Sequence, residues 1–415
     1  LQAAVIKTKH NQSFRPLDIP LTPAEVGGAF AGQSGFVFLD SATDAAGSLS
    51  ILAANPDKVI AGTASEWGAF ASELEGRVRT SPDTGLPMGA AIGWTGYEGD
   101  FCYGFYENLL IYSHRDQQWL AFGQPQLPPR VPIMPADGFE RLNFQAITTQ
   151  SEFEQMVCRA QDYISAGDIY QVCLAHEFRS PWSGNAWAFY EHLRNCSPAP
   201  YAAFLSLADT HVLSASPECF LNLSGRRIST RPIKGTRPRG GSPEADERSS
   251  CELVTSPKEI AELVMITDLE RNDLGRVCEY GSVRVTDLLR LETFEQVFHL
   301  VSTVEGTLHP NITHADAAQT CSPGGSISGA PKKRAREIIN ELEAGPRGIY
   351  TGSIGYFGFN GETRLNIAIR TVVIKDSMAS FHVGAGIVAD SVPQSEWQET
   401  LDKAAGILTA ADQRD

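Results

Sequence analysis

The chain has 415 residues, 42% of them hydrophobic and 20% charged, the balance of a soluble globular protein with room for two or three lobes. Its formal charge of −15 argues against a nucleic-acid or anionic-membrane partner, either of which needs a basic surface, but not against a small anionic substrate that meets only the local field. Eight cysteines scattered without a Cys-x-x-Cys pair fit reduced thiols, and neither a cationic apolar leader nor an apolar run of membrane-spanning length is seen, so a soluble cytoplasmic protein is expected.

In chain order, residues 1–121 read as short apolar and aromatic runs broken by turns, such as 35–40 and 92–97, with a helical patch at 66–75. Residues 122–138 hold Pro125, Pro128, Pro129, Pro132 and Pro135, too many for a packed element, and predict a boundary between an amino-terminal part (1–138) and the remainder (139–415). A helix starts at Thr149, with Glu152 three residues on and Phe153, Met156 and Val157 at helical spacing. Strand-like stretches then alternate with helices at 256–273, 331–344 and 395–409. The two-period runs 348–357 and 365–374, joined through Asn360-Gly361, predict hairpin-linked antiparallel strands. Helices set apart from strand clusters predict an α+β fold rather than a doubly wound one.

The chemistry centres on Arg231-Pro232-Ile233-Lys234-Gly235-Thr236-Arg237-Pro238-Arg239-Gly240, read as a strand running into a loop. Gly235 and Gly240 permit close backbone approach to a ligand. Arg231 and Arg237 flank Lys234 and are expected to disfavour its protonation, which would make it a nucleophile; a basic loop that binds a carboxylate is the plainer reading of the same residues. Two glutamate pairs share a three-residue spacing: Glu259 with Glu262 on a helix opened by Ser256-Pro257, and Glu396 with Glu399 on one opened by Ser395. Four carboxylates on two helices suit Mg2+, whereas a capping box at Ser256 and an ion pair from Glu399 to Lys403 would account for individual members. Glu218 precedes the apolar run 219–221 and is either a strand-end charge or, if buried, a general acid. The glycine-rich run 324–332 lacks the spacing of a nucleotide-binding loop but leads into a helix start that favours anions. Arg370, at the end of a strand over 365–370, can grip a carboxylate or form a surface ion pair; His299 lies on the apolar run 297–301.

These motifs resemble the chorismate-using enzymes. Pro-Ile-Lys-Gly-Thr at 232–236 is similar to the signature of aminodeoxychorismate synthase component I, the chorismate-using subunit of p-aminobenzoate synthesis, whereas the related anthranilate synthase large subunits usually carry Ala at the position of Lys234. Lys-Glu-x-Ala-Glu at 258–262, Gly-Ala-Pro-Lys at 329–332 and Glu-x-x-Glu-Thr at 396–400 follow in the family's order, and the match spans roughly 150–405. Leu263 and Ser322 are small departures. The resemblance implies a sandwich of two large antiparallel sheets with outer helices, and a deep cleft between them in which 139–415 supplies the catalytic residues.

The resemblance also implies roles. Lys234 is the covalent nucleophile, and Glu218 protonates the departing C4 hydroxyl. Glu262 and Glu399 ligate Mg2+ directly, with Glu259 and Glu396 direct or through water. Tyr350 and Arg370 hold a chorismate carboxylate. Gly235, Thr236, His299, Ser326, Gly384, Ala385 and Gly386 surround the substrate, and Lys403 lies near the metal-bound carboxylate. The amino-terminal part matches only through Leu39-Asp40-Ser41 and Gly96-Tyr97, in the region of the tryptophan site of anthranilate synthases. Nothing resembles the cysteine elbow of a glutamine amidotransferase, since Cys102 lacks flanking glycines, so a separate glutaminase subunit is the expected ammonia source. Anthranilate synthase or another chorismate enzyme of the group, and a non-catalytic regulatory subunit, are the rival readings; Lys234 disfavours the first, and its retention with all four glutamates disfavours the second.

Overall fold

Strands buried on both faces dominate the chain: Phe101–Tyr106 and Ser353–Gly358 leave no residue exposed. Such strands need cover on both sides, which a sandwich of sheets under helices provides. A computed structural model describes residues 14–42, 48–79, 85–127, 138–293 and 297–412. Among them, twelve strands form one sheet and ten another, and every pairing of neighbouring strands is antiparallel. The larger sheet passes through Val37–Asp40, Tyr201–Leu207, Thr210–Ser216, Thr371–Lys375, Met378–Ile387 and Gln171–Pro181 to Gly329–Ala330. The smaller runs from Ile233–Pro238 through Val297–Thr307, Cys219–Ser224 and Glu362–Ile367 to Ser353–Gly358, Ala90–Thr95 and Phe101–Tyr106. This is the expected α+β sandwich, and each sheet draws strands from both sides of residue 138.

Val37, Ile51, Ile111 and Val212 of the larger sheet pack against Ile92, Tyr106 and Ile354 of the smaller in one buried cluster. Outside, Ala186–Cys196 and Pro393–Ala411 cover the larger sheet through Trp187, Phe189, Ala404 and Ile407. No helix among the described residues is long and apolar enough to cross a membrane.

The predicted helices at 256–273, 331–344 and 395–409 are Pro257–Gly275, Lys332–Leu342 and Pro393–Ala411. Gln150–Ser165 begins as its sequence dictates: Thr149 Oγ1 accepts the Glu152 N–H at 3.3 Å, and Glu152 returns the bond to the Thr149 amide at 2.8 Å. Of the boundary prolines, Pro125 lies in a loop and Pro128, Pro129, Pro132 and Pro135 fall outside the described residues.

The hairpin through Asn360-Gly361 is present, but the run 365–374 is not one strand. Glu362–Ile367 stays in the smaller sheet, Arg370 adopts φ 50, and Thr371–Lys375 enters the larger sheet. Arg370 therefore occupies a crossover rather than a strand end. Both halves are apolar and β-prone, so periodicity carries no mark of the break.

Candidate active site

Proline and serine set the first acidic helix in place. Pro257 occupies the first turn, where its missing N–H costs nothing, and Ser256 Oγ accepts the Glu259 N–H at 3.4 Å. One turn then separates Glu259 from Glu262 on a single face. Against that face lies Ile233–Pro238, paired with Val297–Thr307 through a register break between Lys234 and Thr236. Gly235 sits in the break at φ 68, and a Cβ there would stand 2.5 Å from Leu253 Cδ1 and 3.1 Å from Glu259 Oε2. The bulge turns Lys234 inward and leaves Thr236 opposite His299, whose Nδ1 is 3.0 Å from Thr236 Oγ1.

The facing wall uses a second proline-started helix, Pro393–Ala411. Glu399 pairs with Lys403 at 2.7 Å, and the same ammonium donates to the Gly384 carbonyl at 2.9 Å, tying helix to strand. A cleft of about 580 Å3 separates the walls. Lys234, Gly235, Thr236, Glu259, Glu262 and His299 line one side; Tyr350, Gly384, Gly386, Glu399 and Lys403 the other; Glu218, Ser326 and Arg370 the rest.

Two predicted residues do not line it. Ala385 is fully buried in the apolar cluster beneath the strand, because side chains alternate and its neighbours at 384 and 386 take the cleft face. Glu396 is 3% exposed behind the wall, where its Oε1 accepts the Ser391 hydroxyl at 2.7 Å and lies 3.8 Å from Lys258 Nζ.

The charge around Lys234 differs from expectation. Burial pulls its ammonium down, but the carboxylates of Glu262, Glu218 and Glu399 help hold it above its ordinary range. Arg231 instead pairs with Glu292, and Arg237 lies 3.5 Å from Glu259. Burial raises the Glu218 carboxyl despite the Ser326 hydroxyl bonded to it and the Lys234 charge, so it is the acid-like member of the pair. Burial lowers Arg370, whose guanidinium has no hydrogen bond or ion pair among the described residues. A half-buried, partnerless guanidinium in a cleft is a ready seat for a carboxylate.

Among the described residues no three carboxylate, imidazole or thiol groups are gathered into a ready-made metal site. The donors nevertheless fit a hard divalent cation. Burial and the like charges of Glu259 and Glu399 push the Glu262 carboxyl up, and Glu396 Oε2 is buried without a hydrogen-bond partner. Lys258, 4.0 Å from Glu262 and 3.8 Å from Glu396, supplies the positive charge between the two helices.

Sequence reasoning missed Cys173, Lys258, His382 and Asp402, all of which line the cleft. His382 was findable: it shares the strand face of Gly384 and Gly386, and it stacks on Tyr350 with ring centroids 5.3 Å apart. Cys173, inside an apolar strand, carried no signal. Far from this cleft, Leu39 and Asp40 border a cavity of about 40 Å3 between the sheets, with Tyr356 and Arg364 opposite.

A family model described as chorismate binding enzyme matches residues 50–409. Anthranilate synthase component 1 of Thermus thermophilus is 46% identical over 284 residues, covering 68% of this chain and 61% of its own length. An anthranilate synthase component I-like protein of Synechocystis is 43% identical over 306 residues, 73% of this chain and 63% of its own. The chain thus spans about three fifths of the length of the curated relatives it matches. The structure of anthranilate synthase component I from Streptococcus pneumoniae has a TM-score of 0.78 and 31% identity, covering 87% of this chain and 92% of that one. The menaquinone-specific isochorismate synthase of Escherichia coli, also at 0.78, covers 99% of this chain and 96% of its own at 16% identity, a likeness of fold alone.

Proposed function

Because the chain belongs to the chorismate-binding enzyme family, we propose that it replaces the C4 hydroxyl of chorismate with an amino group. The product is 4-amino-4-deoxychorismate, the precursor of p-aminobenzoate, and the ammonia comes from a separate glutamine amidotransferase subunit. The observation that carries this reading is Lys234, a primary amine turned into the cleft beside Glu218 and the carboxylates.

In this mechanism Arg370 and Tyr350 hold the enolpyruvyl carboxylate, and Lys403 faces the ring carboxylate. The neutral Lys234 amine forms a bond to C2, both ring double bonds shift, and the C4–O bond breaks as Glu218 gives its proton to the departing hydroxyl. Ammonia then bonds to C4, the double bonds shift back, and the C2–N bond to Lys234 breaks while one proton returns to Glu218. Chorismate and ammonia become the amino compound and water. A Mg2+ ion held by Glu262 and Glu399, with Glu259 and Glu396 in support, would bind the ring carboxylate and draw negative charge from Lys234, leaving its amine free to react.

The names of the curated relatives favour a second reading, amination at C2 to anthranilate. Incubation of the chain with chorismate, Mg2+ and ammonium, followed by product identification, separates the two. The C4 product is expected, and anthranilate from the wild type would establish the second reading. Lys234→Arg keeps the charge but cannot deprotonate, and should lose at least about 10³-fold of C4 amination while chorismate still binds. Near-normal amination by that variant would reduce Lys234 to an electrostatic contact. Glutamine in place of ammonium should support no turnover by the purified chain; glutamine-dependent product would refute the separate-subunit assignment.

A further inference from the structure

The helix that carries Glu259 and Glu262 also carries a carboxylate for which the proposed reaction has no use. Glu270 is 3% exposed, roughly two turns beyond Glu262, and its Oε1 accepts the Gly325 N–H at 2.8 Å. Gly325 opens the short turn Gly325–Ile327, and the next residue, Ser326, reaches the cleft and hydrogen-bonds Glu218. The contact is close. A Cβ on Gly325 would lie 2.9 Å from Glu270 Oε1 and 2.9 Å from Leu269 Cδ2, so the loop backbone rests directly on the helix.

One turn further along, Asp273 pairs with Lys332, whose ammonium reaches back to the carbonyls of Pro323 at 2.7 Å and Cys321 at 3.2 Å. Ser328 Oγ closes the turn onto the Gly324 carbonyl at 2.9 Å. The loop that presents Ser326 is thus held on both flanks from one helix: before it by Asp273 through Lys332, and within it by Glu270 directly. A carboxylate as buried as Glu270 is costly, and an apolar side chain would cover Leu269 and the loop at less expense. What an apolar residue lacks is an acceptor for the Gly325 amide.

We propose that Glu270 is a positioning residue for the acid step: by holding the Gly325 amide it sets the Ser326 hydroxyl against Glu218 and so fixes the direction of the proton that Glu218 donates. The proposal rests on the reading of Glu218 as the general acid. The charged and titratable groups facing Glu270 are Lys332, Asp273, Glu218 and Cys321. Burial, aided by Asp273 and Glu218 and opposed by Lys332, pushes its carboxyl up to about 7. The acceptor therefore passes from neutral to ionised, and its grip on the amide tightens, as pH rises through that value.

The test compares Glu270→Ala and Glu270→Gln in the full chain with chorismate, Mg2+ and ammonium. It follows chorismate consumption, which reports turnover whichever carbon is aminated, so failure of this inference is distinguishable from failure of the C4 assignment. Glu270→Ala should lower kcat by about 10- to 100-fold with little change in the chorismate KM. Glu270→Gln, which keeps an acceptor of the same reach, should recover most of that loss, and its pH profile should lack an inflection near the Glu270 value of about 7 that the wild type shows. Cooperative melting of both variants checks that they fold. The inference is overturned if folded Glu270→Ala keeps the wild-type kcat, or if Glu270→Gln loses as much as Glu270→Ala. If Glu270→Ala does not fold, the Gln variant decides: a wild-type pH profile overturns the inference, and loss of the inflection supports it.

Discussion

The two walls of the cleft are built to different standards. On one side, Val172 to Pro181 pairs with Ile387 to Met378 without a break in register, and the helix Pro393–Ala411 packs over the pair. On the other, the strand bearing Lys234 breaks register at Gly235 against Val297–Thr307, whose second partner Arg284–Thr293 shifts twice and puts Leu289 at φ 57. The apolar support there is a small cluster of Leu253, Leu263, Phe298 and Leu300. Fewer buried contacts and broken ladders mean lower local stability. The unbroken wall anchors Lys403 through the Gly384 carbonyl and Tyr350 through its stack on His382, and on the proposed mechanism Lys403 and Tyr350 orient the substrate. Lys234, which on that mechanism forms and breaks a bond, stands on the looser one. Orientation tolerates little movement, whereas a nucleophile must travel between two bonding states, and the division of labour follows.

The sharpest way to break this comparison is to remove one carboxylate from each wall. Glu262→Gln and Glu399→Gln should each lower kcat by about 10²- to 10³-fold while melting like the wild type, because on the proposed mechanism both walls serve one Mg2+-dependent centre. Steady-state kinetics with Mg2+ titration would show it, and full activity of the wild type after complete chelation of divalent ions would end the idea. A smaller effect is expected at the bulge. Gly235→Ala places a Cβ against Leu253 at a left-handed φ and should cost roughly 1–2 kcal/mol in chemical denaturation, with a larger proportional loss in turnover than in stability. An equal glycine-to-alanine penalty on both properties would mean that the bulge only accommodates the chain.

The smallest effect sharpens the account of the firm wall. His176 is buried there, its Nε2 2.9 Å from Thr400 Oγ1 and its ring stacked on Trp397 at 4.7 Å. Burial, with His382 adding to it, pulls its pKa to about 4, below the ordinary 6.5. The unfolded chain therefore takes up the proton first. The stability contribution is fully present above about 6.5 and is lost as pH falls toward about 4. His176→Gln should flatten the acid limb of a stability-against-pH curve between those values, and an unchanged slope would place the acid sensitivity elsewhere.

Much of this was legible in the sequence because the signals were local. Thr149 and Ser256 announce their helices through the residue three positions on, and Asn360-Gly361 announces its hairpin. Helices Ala186–Cys196, Pro243–Thr255 and His314–Cys321 were not anticipated, although Asn185, Ser242 and Thr313 cap them in the same way. What failed was long-range. The neighbours of Lys234 in sequence, Arg231 and Arg237, turn to Glu292 and Glu259, while the carboxylates that surround it come from Glu218, Glu262 and Glu399. Proximity in sequence thus gave the wrong sign for its environment. The residue motifs converge on one cleft because they are short and carried on capped helices or tight loops. They could not say that Ala385 faces the core, which depends on strand parity, or that Glu396 stands behind the wall.

The crossover between Ile367 and Thr371 has a consequence for how such a chain can vary. Three residues carry the backbone from one sheet to the other, and Arg370 is the last of them. Both ends are locked by ladders, so an inserted or deleted residue has no loop in which to be absorbed. Either the guanidinium leaves the cleft or an entire strand slips by one and turns its side chains to the wrong face. Length at this point is therefore closed to drift, and Ala368, fully buried between the sheets, leaves no room for a larger side chain. A segment that looks like a plain connection thus constrains the spacing between the two sheets, as the two-residue crossover from Ser216 to Cys219 does beside Glu218.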